Sequence, residues 1–250
     1  MALTDNIVSY WKFDESSGNA ADSVGSNTLT NNGTATFVSA KINNGTDVNG
    51  TSQYFSIADA SQTGLDFSGD FTLSGWVMFD AYVSTTLYTF VSKLNFGDGG
   101  TSRSYALVKN LTGTNKLDLA ISDGTNYNAI GVSWTPSTAT WYYVSVVHTS
   151  GASAKAQFYV NGAQQGTDQS STATGTILNS SRPFHIGMTI DGVTNSYFFN
   201  GKFDEWGAWS RALSSSEISQ LYNSGTGLAY PFSGGGGATN TGATQLMMGV

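Results

Sequence analysis

The chain has 250 residues, of which 11% are charged and 13% aromatic, and its formal net charge at pH 7 is −7. The ten Lys and Arg residues are scattered, which argues against nucleic-acid recognition and polybasic membrane attachment, because both need clustered basic side chains. The absence of cysteine excludes disulfides, thiolate catalysis and Cys-ligated zinc.

Short strands dominate the predicted secondary structure. Thirty glycines and three prolines, among many Ser, Thr and Asn residues, favour tight turns between such strands. About a dozen strand-like runs follow each other at the spacing expected of a sandwich or barrel. They are predicted at 7–13, 28–38, 54–57, 70–80, 87–93, 104–109, 116–122, 126–132, 141–148, 156–160, 184–190 and 197–199.

Asn-Gly and Asp-Gly pairs supply the turn signals, because both residues of such a pair tolerate the positive φ of a type I′ turn. Turns are therefore predicted where these pairs occur. The Asn-Gly pairs begin at Asn32, Asn44, Asn49, Asn161 and Asn200, and the Asp-Gly pairs begin at Asp123 and Asp191.

The last regular segment reads as a strand followed by one short helix. Ser214 is a good N-cap, and Glu217 three residues later completes a capping box. Gly225 and Gly227 are predicted to end the helix. A strand and a helix this well specified should close the fold.

The composition changes after residue 232. Residues 1–232 are predicted to form one domain, and residues 233–237, one serine followed by four glycines, read as a flexible linker. Residues 238–250 form a weakly apolar tail that needs a partner chain to become ordered. Its apolar end, Leu246, Met247, Met248 and Val250, is the predicted assembly contact. No signal peptide is recognised at the start as written.

Eight motifs in order resemble those of a known family. The resemblance extends over about residues 6–232. The motifs are YWKFDE at 10–15, ADS at 21–23, DFTLSGWV at 70–77, VSK at 91–93, WYYV at 141–144, FYVNG at 158–162, FNGKFDE at 199–205 and RALS at 211–214. Together they resemble the concanavalin A-like lectin/glucanase superfamily, in its laminin G-like branch.

The resemblance implies an all-β jelly-roll sandwich of two antiparallel sheets, with one short C-terminal helix and adjacent first and last strands. It does not choose a function, because a fold of this kind serves many. Members of the family include carbohydrate-binding modules, adhesion domains, glycanases and virion surface proteins.

The resemblance also implies a structural calcium ion where the first and last strands meet. Its ligands are carried over onto Asp22 and Asp204, with Asp14 and Asn27 as additions. Carboxylate and amide oxygens suit calcium. The loop 50–54 lacks the paired aspartates that members often have there. The alternative is that these acids cap turns or pair with nearby lysines.

Sugar binding needs an aromatic platform beside amide and hydroxyl groups. Four aromatic residues in or beside predicted loops are the candidates for this role: Tyr82, Tyr127, Trp134 and Tyr197. The alternative is that they fill the core of the sandwich. Four other tryptophans are expected in the core: Trp11, Trp76, Trp141 and Trp206.

Catalysis is not expected. Glycan hydrolysis needs two carboxylates across a cleft, and the family's Glu-x-Asp-x-Glu pattern is missing around Glu15, Glu205 and Glu217. Asp204 and Glu205 are adjacent, so on a regular strand they point to opposite faces. Both histidines, His148 and His185, are expected to be structural.

The sequence favours a non-catalytic lectin-like protein displayed on an assembly. The leading interpretation is a phage virion surface component, such as a head decoration, tail or fibre protein, that binds other chains through its tail and also a surface glycan. The alternative is a carbohydrate-binding module of a secreted bacterial protein. A catalytic glycanase is a distant third. The expected location is the virion surface or the extracellular space.

Overall fold

The computed structural model describes residues 1–100 and 103–233. In that part of the chain, seventeen strands and one α-helix are found. The strands are β1 Ile7–Trp11, β2 Thr30–Asn32, β3 Thr36–Ser39, β4 Asn44–Asn49, β5 Tyr54–Ile57, β6 Phe71–Phe79, β7 Tyr88–Ser92, β8 Tyr105–Lys109, β9 Lys116–Ser122, β10 Tyr127–Ser133, β11 Trp141–Thr149, β12 Lys155–Val160, β13 Ala163–Ser170, β14 Phe184–Ile186, β15 Thr189–Asp191, β16 Thr194–Ser196 and β17 Asn200–Trp209. The helix, α1, spans Ser215–Tyr222.

Two antiparallel sheets build the sandwich, as predicted. The eight-stranded sheet has the order β13-β12-β11-β6-β17-β4-β3, and β1 pairs with β17 beyond the end of β4. The seven-stranded sheet has the order β10-β9-β8-β7-β14-β5-β2, and β15 and β16 form a separate hairpin. The jelly-roll-like sandwich with one short helix is therefore confirmed.

The first and last strands are adjacent, as the resemblance implied. Trp11 pairs with Trp206 in the antiparallel register of β1 and β17. The segment before β1 strengthens this closure, because the Trp209 Nε1–H donates to the Leu3 carbonyl at 2.8 Å. The Arg211 Nε–H donates to the Asp5 carbonyl at 2.8 Å.

Apolar side chains fill the space between the sheets and both outer faces. Phe71, Trp206 and Phe203 lie in the main core between the sheets. A second cluster, which includes Trp76 and Trp209, lies under α1 on the outer face of the eight-stranded sheet. This explains why residues 70–80 are apolar on both faces. Of the tryptophans predicted to be core, only Trp141 is partly exposed.

Two predicted Asn-Gly turns are wrong. Asn44-Gly45 lies inside β4 and Asn200-Gly201 begins β17. Each glycine serves a close approach instead of a turn. A Cβ on Gly45 would lie 2.6 Å from the Phe203 carbonyl oxygen, and one on Gly201 would lie 2.0 Å from the Met78 carbonyl oxygen.

Other strand boundaries differ because neighbours in space decide them. The predicted run 28–38 is two strands, and β2 and β3 belong to different sheets. The run 184–190 breaks at Gly187, whose φ is +90°. Residues 197–199 lie outside the strands, whereas β4 and β13 formed no part of the prediction. Polar sequence in β13 concealed an edge strand.

The helix prediction is confirmed at its start and wrong at its end. Both hydrogen bonds of the Ser214–Glu217 capping box are present. The left-handed residue that ends α1 is Asn223, with a φ of 48°, instead of one of the glycines. Within residues 1–100 and 103–233, no helix is long and apolar enough to cross a membrane. The predicted tail contacts Leu246, Met247, Met248 and Val250 lie outside the described residues.

Candidate functional site

An open depression lies where the β4–β5 turn meets the β15–β16 hairpin. We call it the aromatic shelf; it is lined by Thr51, Ser52, Val193, Thr194, Asn195 and Phe198. Tyr54 lies beside this lining, against Phe198 and Asn195. The volume of the shelf is ≈ 480 Å³, within the range of roughly 300–1,000 Å³ typical of ligand sites. Turns with positive-φ glycines, Gly50 at 72° and Gly192 at 64°, bring the two segments to this position.

The shelf combines aromatic faces with amide and hydroxyl groups. The rings of Tyr54 and Phe198 lie 6.1 Å apart, and both residues are partly exposed. The Asn195 Nδ2–H donates to the Tyr54 hydroxyl at 3.1 Å, which holds the amide beside the rings. Thr51 and Thr194 expose hydroxyls at the rim. This is the chemistry that stacks on and hydrogen-bonds to a sugar.

A second depression separates the open edges of the two sheets. This edge groove has a volume of ≈ 430 Å³ and is lined by residues 16–19, Asn31 and residues 34–37. Its single aromatic residue is Phe37, which packs inward against Phe55 with ring centroids 6.1 Å apart. Each depression thus has one lining aromatic ring, Phe37 in the edge groove and Phe198 in the shelf. The ring next to Phe37, that of Phe55, is fully buried, whereas the ring next to Phe198, that of Tyr54, is partly exposed.

Tyr82 and Trp134, two of the predicted glycan contacts, meet around a buried lysine. The Lys109 Nζ lies 5.3 Å from the centroid of the Tyr82 ring and 5.5 Å from that of the Trp134 ring. Trp134 is only 8% exposed, and its ring is flanked by Phe79 and Tyr142. Its faces are covered, so the structure does not offer Trp134 as a stacking platform.

Tyr127 and Tyr197, the other two predicted contacts, flank Phe96 and Arg103. The Arg103 guanidinium lies 4.8 Å from the Tyr127 ring centroid. The Tyr197 ring meets Phe96 edge-on at 5.7 Å, and its hydroxyl donates to Asp191 at 2.7 Å. These two tyrosines therefore already have partners within the chain, and neither lines the aromatic shelf.

A β-bulge overturns the expected orientation of Asp204 and Glu205. The register of β17 against β6 shifts between Asp204 and Gly207, and Glu205 has a φ of 51°. Phe203 and Trp206 on either side both pack in the main core. The extra residue therefore places both acids on the outer face of the sheet, where each is at least 99% buried.

Burial perturbs both acids strongly. It raises the pKa of Asp204 to about 9 and that of Glu205 to about 7. The Asp204 Oδ2 accepts the Ile42 N–H at 2.7 Å, whereas its Oδ1 and both Glu205 oxygens lack hydrogen-bond partners within residues 1–100 and 103–233. These two buried acids do not flank an open cleft, as glycan hydrolysis requires.

Each of the four predicted calcium ligands already accepts a hydrogen bond within the chain. Asp22 accepts the backbone N–H groups of Tyr10 at 3.0 Å and Asn27 at 3.1 Å, and the Asn27 amide is itself bonded to Thr63. Asp14 accepts the Asn44 N–H at 3.2 Å and Asp204 accepts the Ile42 N–H at 2.7 Å. The Asp14 charge adds to burial in raising the pKa of Asp204. Across the described residues, no three His, Asp or Glu side chains are grouped so as to hold a metal ion. Calcium binding by these four residues would therefore require some of their hydrogen bonds to open.

Both histidines are buried and neutral at pH 7. Desolvation lowers the pKa of His148 and of His185 to about 4. His148 stacks on Phe71 with ring centroids 5.2 Å apart, and His185 lies 5.8 Å from Tyr54 beneath the aromatic shelf. His185 therefore supports the Tyr54 ring beside the shelf.

Sequence analysis did not select Tyr54, Phe198 or Asn195. Tyr54 was placed correctly on a strand, but alternation does not say whether an outward side chain is covered. Phe198 lies in the short run 197–199, where three consecutive aromatic or apolar residues concealed which one is exposed. A usable signal was present in the neighbouring Asp191-Gly192 turn, which predicts a projecting hairpin.

The fold is a jelly-roll-like sandwich of the lectin type. A laminin G-type family model, described as the concanavalin A-like lectin/glucanases superfamily, matches residues 49–219. The chain belongs to this superfamily. A comparison with curated protein sequences returned no match.

Solved structures of binding domains share the fold at low sequence identity. Domain 4 of AbnA, an extracellular arabinanase from Geobacillus stearothermophilus solved with arabinotriose, is 19% identical with a TM-score of 0.63, and the match covers 87% of this chain and 98% of that one. The binding domain of Paraclostridial Mosquitocidal Protein 1 is 18% identical with a TM-score of 0.68, covering 89% and 53%. The binding domain of Botulinum neurotoxin DC, solved with rat synaptotagmin II, is 14% identical with a TM-score of 0.66, covering 89% and 52%. The chain thus spans about half of each toxin binding domain.

Proposed function

We propose that this chain is a non-catalytic, lectin-like domain that binds glycans on the aromatic shelf. The observation that carries the proposal is the partly exposed Tyr54–Phe198 ring pair with the Asn195 amide beside it. The buried state of Asp204 and Glu205 supports a non-catalytic role. The similar arabinanase domain was solved with a bound oligosaccharide, which supports oligosaccharides as the ligand class.

The first experiment is a glycan panel followed by calorimetric titration of the best ligand. Phe198→Ala removes part of the stacking surface and Asn195→Ala removes the amide. Each variant is expected to weaken binding about tenfold, which corresponds to about 1.4 kcal/mol. The matched control is Val83→Ala, because Val83 is 54% exposed and does not line the shelf.

The Asn195→Ala variant keeps the test meaningful if Phe198→Ala disturbs folding, because Asn195 is exposed on the hairpin. Equal affinities in the two shelf variants and in wild type would show that glycans bind elsewhere. The edge groove would then be the next candidate site. A panel without any bound glycan would overturn the proposed function.

We also propose display on a larger assembly, foremost as a phage virion surface protein. The support is compositional: the glycine-rich segment 233–237 leads into a tail with the apolar residues Leu246, Met247 and Met248. Truncation after residue 233 is expected to abolish incorporation into the assembly and to leave glycan affinity unchanged. Electron microscopy of the native source material is the direct measurement. Unchanged incorporation of the truncated chain would contradict the role of the tail. Absence of the full-length chain from any assembly would favour the alternative, a carbohydrate-binding module of a secreted bacterial protein.

Calcium binding stays a prediction that depends on Asp204, whose Oδ1 has no hydrogen-bond partner in the described part of the chain. Asp22 and Asn27 would have to give up backbone hydrogen bonds to join it. The measurement is calorimetry with calcium after EDTA treatment, with the Tm recorded in parallel. No heat and no change in Tm would contradict the prediction.

A further inference from the structure

Most Lys and Arg side chains of this chain contact carboxylates, carbonyl oxygens or aromatic rings of the same chain. All ten Lys and Arg residues lie within the described residues. Three of them, Lys93, Lys109 and Arg211, are at most 8% exposed. The Lys93 ammonium contacts the Asp59 carboxylate at 2.6 Å, and Arg211 contacts Glu217 at 2.7 Å. These three side chains therefore offer no charge to a ligand at the surface.

Three further cations are neutralised at the surface by carboxylates. Lys155 pairs with Asp168 at 2.5 Å, and Arg182 meets both oxygens of Asp98 at 2.6 and 2.9 Å. Lys202 lies between two acids, at 2.8 Å from Asp80 and 3.2 Å from Asp47. Each of these sites carries no net positive charge.

The remaining four cations do not form a patch. Lys41 lies over the Trp76 ring at 4.7 Å, and Arg103 lies over the Tyr127 ring. The Lys116 Nζ–H donates to the Ser133 hydroxyl at 3.2 Å. Lys12 is close enough to Glu205 to lower the pKa of that acid. None of the four belongs to the segments that build the aromatic shelf.

Those segments carry one charge, and it is negative. The β4–β5 turn, residues 49–54, has no charged side chain, and residues 189–198 contain only Asp191. The net charge of −7 adds a repulsive field for anions over the whole molecule. An anionic substituent seated on the shelf would lose hydration without gaining a cationic partner.

We infer that the aromatic shelf takes neutral sugars and rejects glycans that carry carboxylate, sulfate or phosphate groups. The inference rests on the proposed function of the same shelf and names its ligand class. Because recognition uses stacking and neutral hydrogen bonds, affinity is expected to be nearly independent of ionic strength.

The experiment compares one neutral oligosaccharide with its sulfated and its sialylated derivative. The neutral form is expected to bind at least about tenfold more tightly than either anionic form. Its Kd should change by less than about twofold between about 20 mM and about 500 mM NaCl, because no charged pair is screened. Thr194→Lys adds a cation at the rim of the shelf. It is expected to reduce the affinity difference between the neutral and the anionic forms at low salt, but not at high salt.

The outcomes separate the inference from the proposed function. Wild-type protein that binds an anionic form as tightly as the neutral one, through a site weakened by Asn195→Ala, would overturn the inference and keep the glycan-binding function. A salt-sensitive Kd for the neutral ligand would also overturn it. Absence of binding to a full panel of neutral and anionic glycans would overturn both.

Discussion

Asp204 makes the stability of the fold depend on pH. Its pKa is about 9 in the folded protein because of burial, whereas an unfolded aspartate ionises near pH 4. A raised folded pKa gives stability that is fully present below the unfolded pKa and is lost as the pH rises through 9. Between pH 7 and 9 this loss amounts to about 1.4 kcal/mol per pH unit.

Asp204→Asn removes that proton. The free energy of unfolding of the variant, relative to the protein that keeps Asp204, should therefore rise by about 1.4 kcal/mol per unit from pH 7 to pH 9. Lys109, whose pKa burial lowers to about 7, titrates in the opposite sense, but it is shared by both proteins and cancels in the difference. Glu205, whose charge helps to raise the pKa of Asp204, does not cancel, so both proteins carry Glu205→Gln in this comparison. Urea denaturation in EDTA measures the difference. A gap that is constant with pH would contradict a protonated Asp204.

Lys93 is the buried cation with the most partners. Its side chain is fully buried, and its ammonium contacts Asp59 at 2.6 Å, Asp66 at 2.8 Å and the Ser180 carbonyl at 2.6 Å. It follows β7 directly, so these contacts hold two long connecting segments against the seven-stranded sheet.

Lys93→Met should lower the free energy of unfolding by about 3 kcal/mol, because it leaves two acids beside a buried site without their cation. Lys155→Met is the matched control, since Lys155 has a single acidic partner and is 38% exposed. A loss of at most about 1 kcal/mol is expected there. Equal losses in the two variants, measured by urea denaturation, would show that Lys93 acts as an ordinary surface charge.

At the scale of elements, the packing of β17 against β6 depends on a glycine in β6. Gly75 in β6 lies under the Trp206 indole, and a Cβ at this position would approach the ring to 2.4 Å. Gly75→Ala should therefore overpack the core and cost about 1–3 kcal/mol. Gly69→Ala is the control, because the nearest atom there is 3.6 Å away. A stable Gly75→Ala variant would mean that the Trp206 ring can shift.

Helix α1 depends on its first turn. The Ser214 hydroxyl accepts the Glu217 N–H at 3.3 Å, and the Glu217 carboxylate accepts the Ser214 N–H at 2.8 Å. Ser214→Ala should cost about 1 kcal/mol in thermal unfolding. Ser215→Ala, one residue later and exposed, should have little effect. If both variants lose the same amount, serine content rather than the cap explains the change.

At the scale of the whole molecule, the chain closes through its first residues. The backbone carbonyls of Ala2, Leu3 and Asp5 accept hydrogen bonds from Trp209 and Arg211. Leu3 also packs in the cluster under α1. The first six residues thus hold the end of β17 and the start of the helix in place.

Removal of residues 1–5 should therefore cost about 3 kcal/mol, or roughly 6–12 °C in Tm. Removal of Met1 alone is the control, because Met1 is 91% exposed. Scanning calorimetry distinguishes the two. An unchanged Tm after the longer truncation would mean that β1 and β17 close the sandwich without help from the preceding segment.

The sequence by itself determined several strands and the start of the helix, and the family resemblance implied the two-sheet sandwich. The order of strands within each sheet was not predicted. Period-two alternation located β6 and β9 to within one residue at each end. The Ser214–Glu217 pair located the start of α1, and the ordered motifs implied that β1 lies beside β17. These features follow from the sequence because each depends on local geometry or on a family pattern.

Only the tertiary structure decided which face of the sheet some side chains occupy and where the candidate binding site lies. Asn200-Gly201 is a typical turn pair, yet the glycine serves the approach of Met78 in a neighbouring strand. The bulge at Glu205 sends two adjacent acids to the same face, which alternation cannot anticipate. The aromatic shelf joins Tyr54 to Phe198 across more than one hundred residues. Contacts at that separation depend on how strands pair, and local sequence does not encode the pairing.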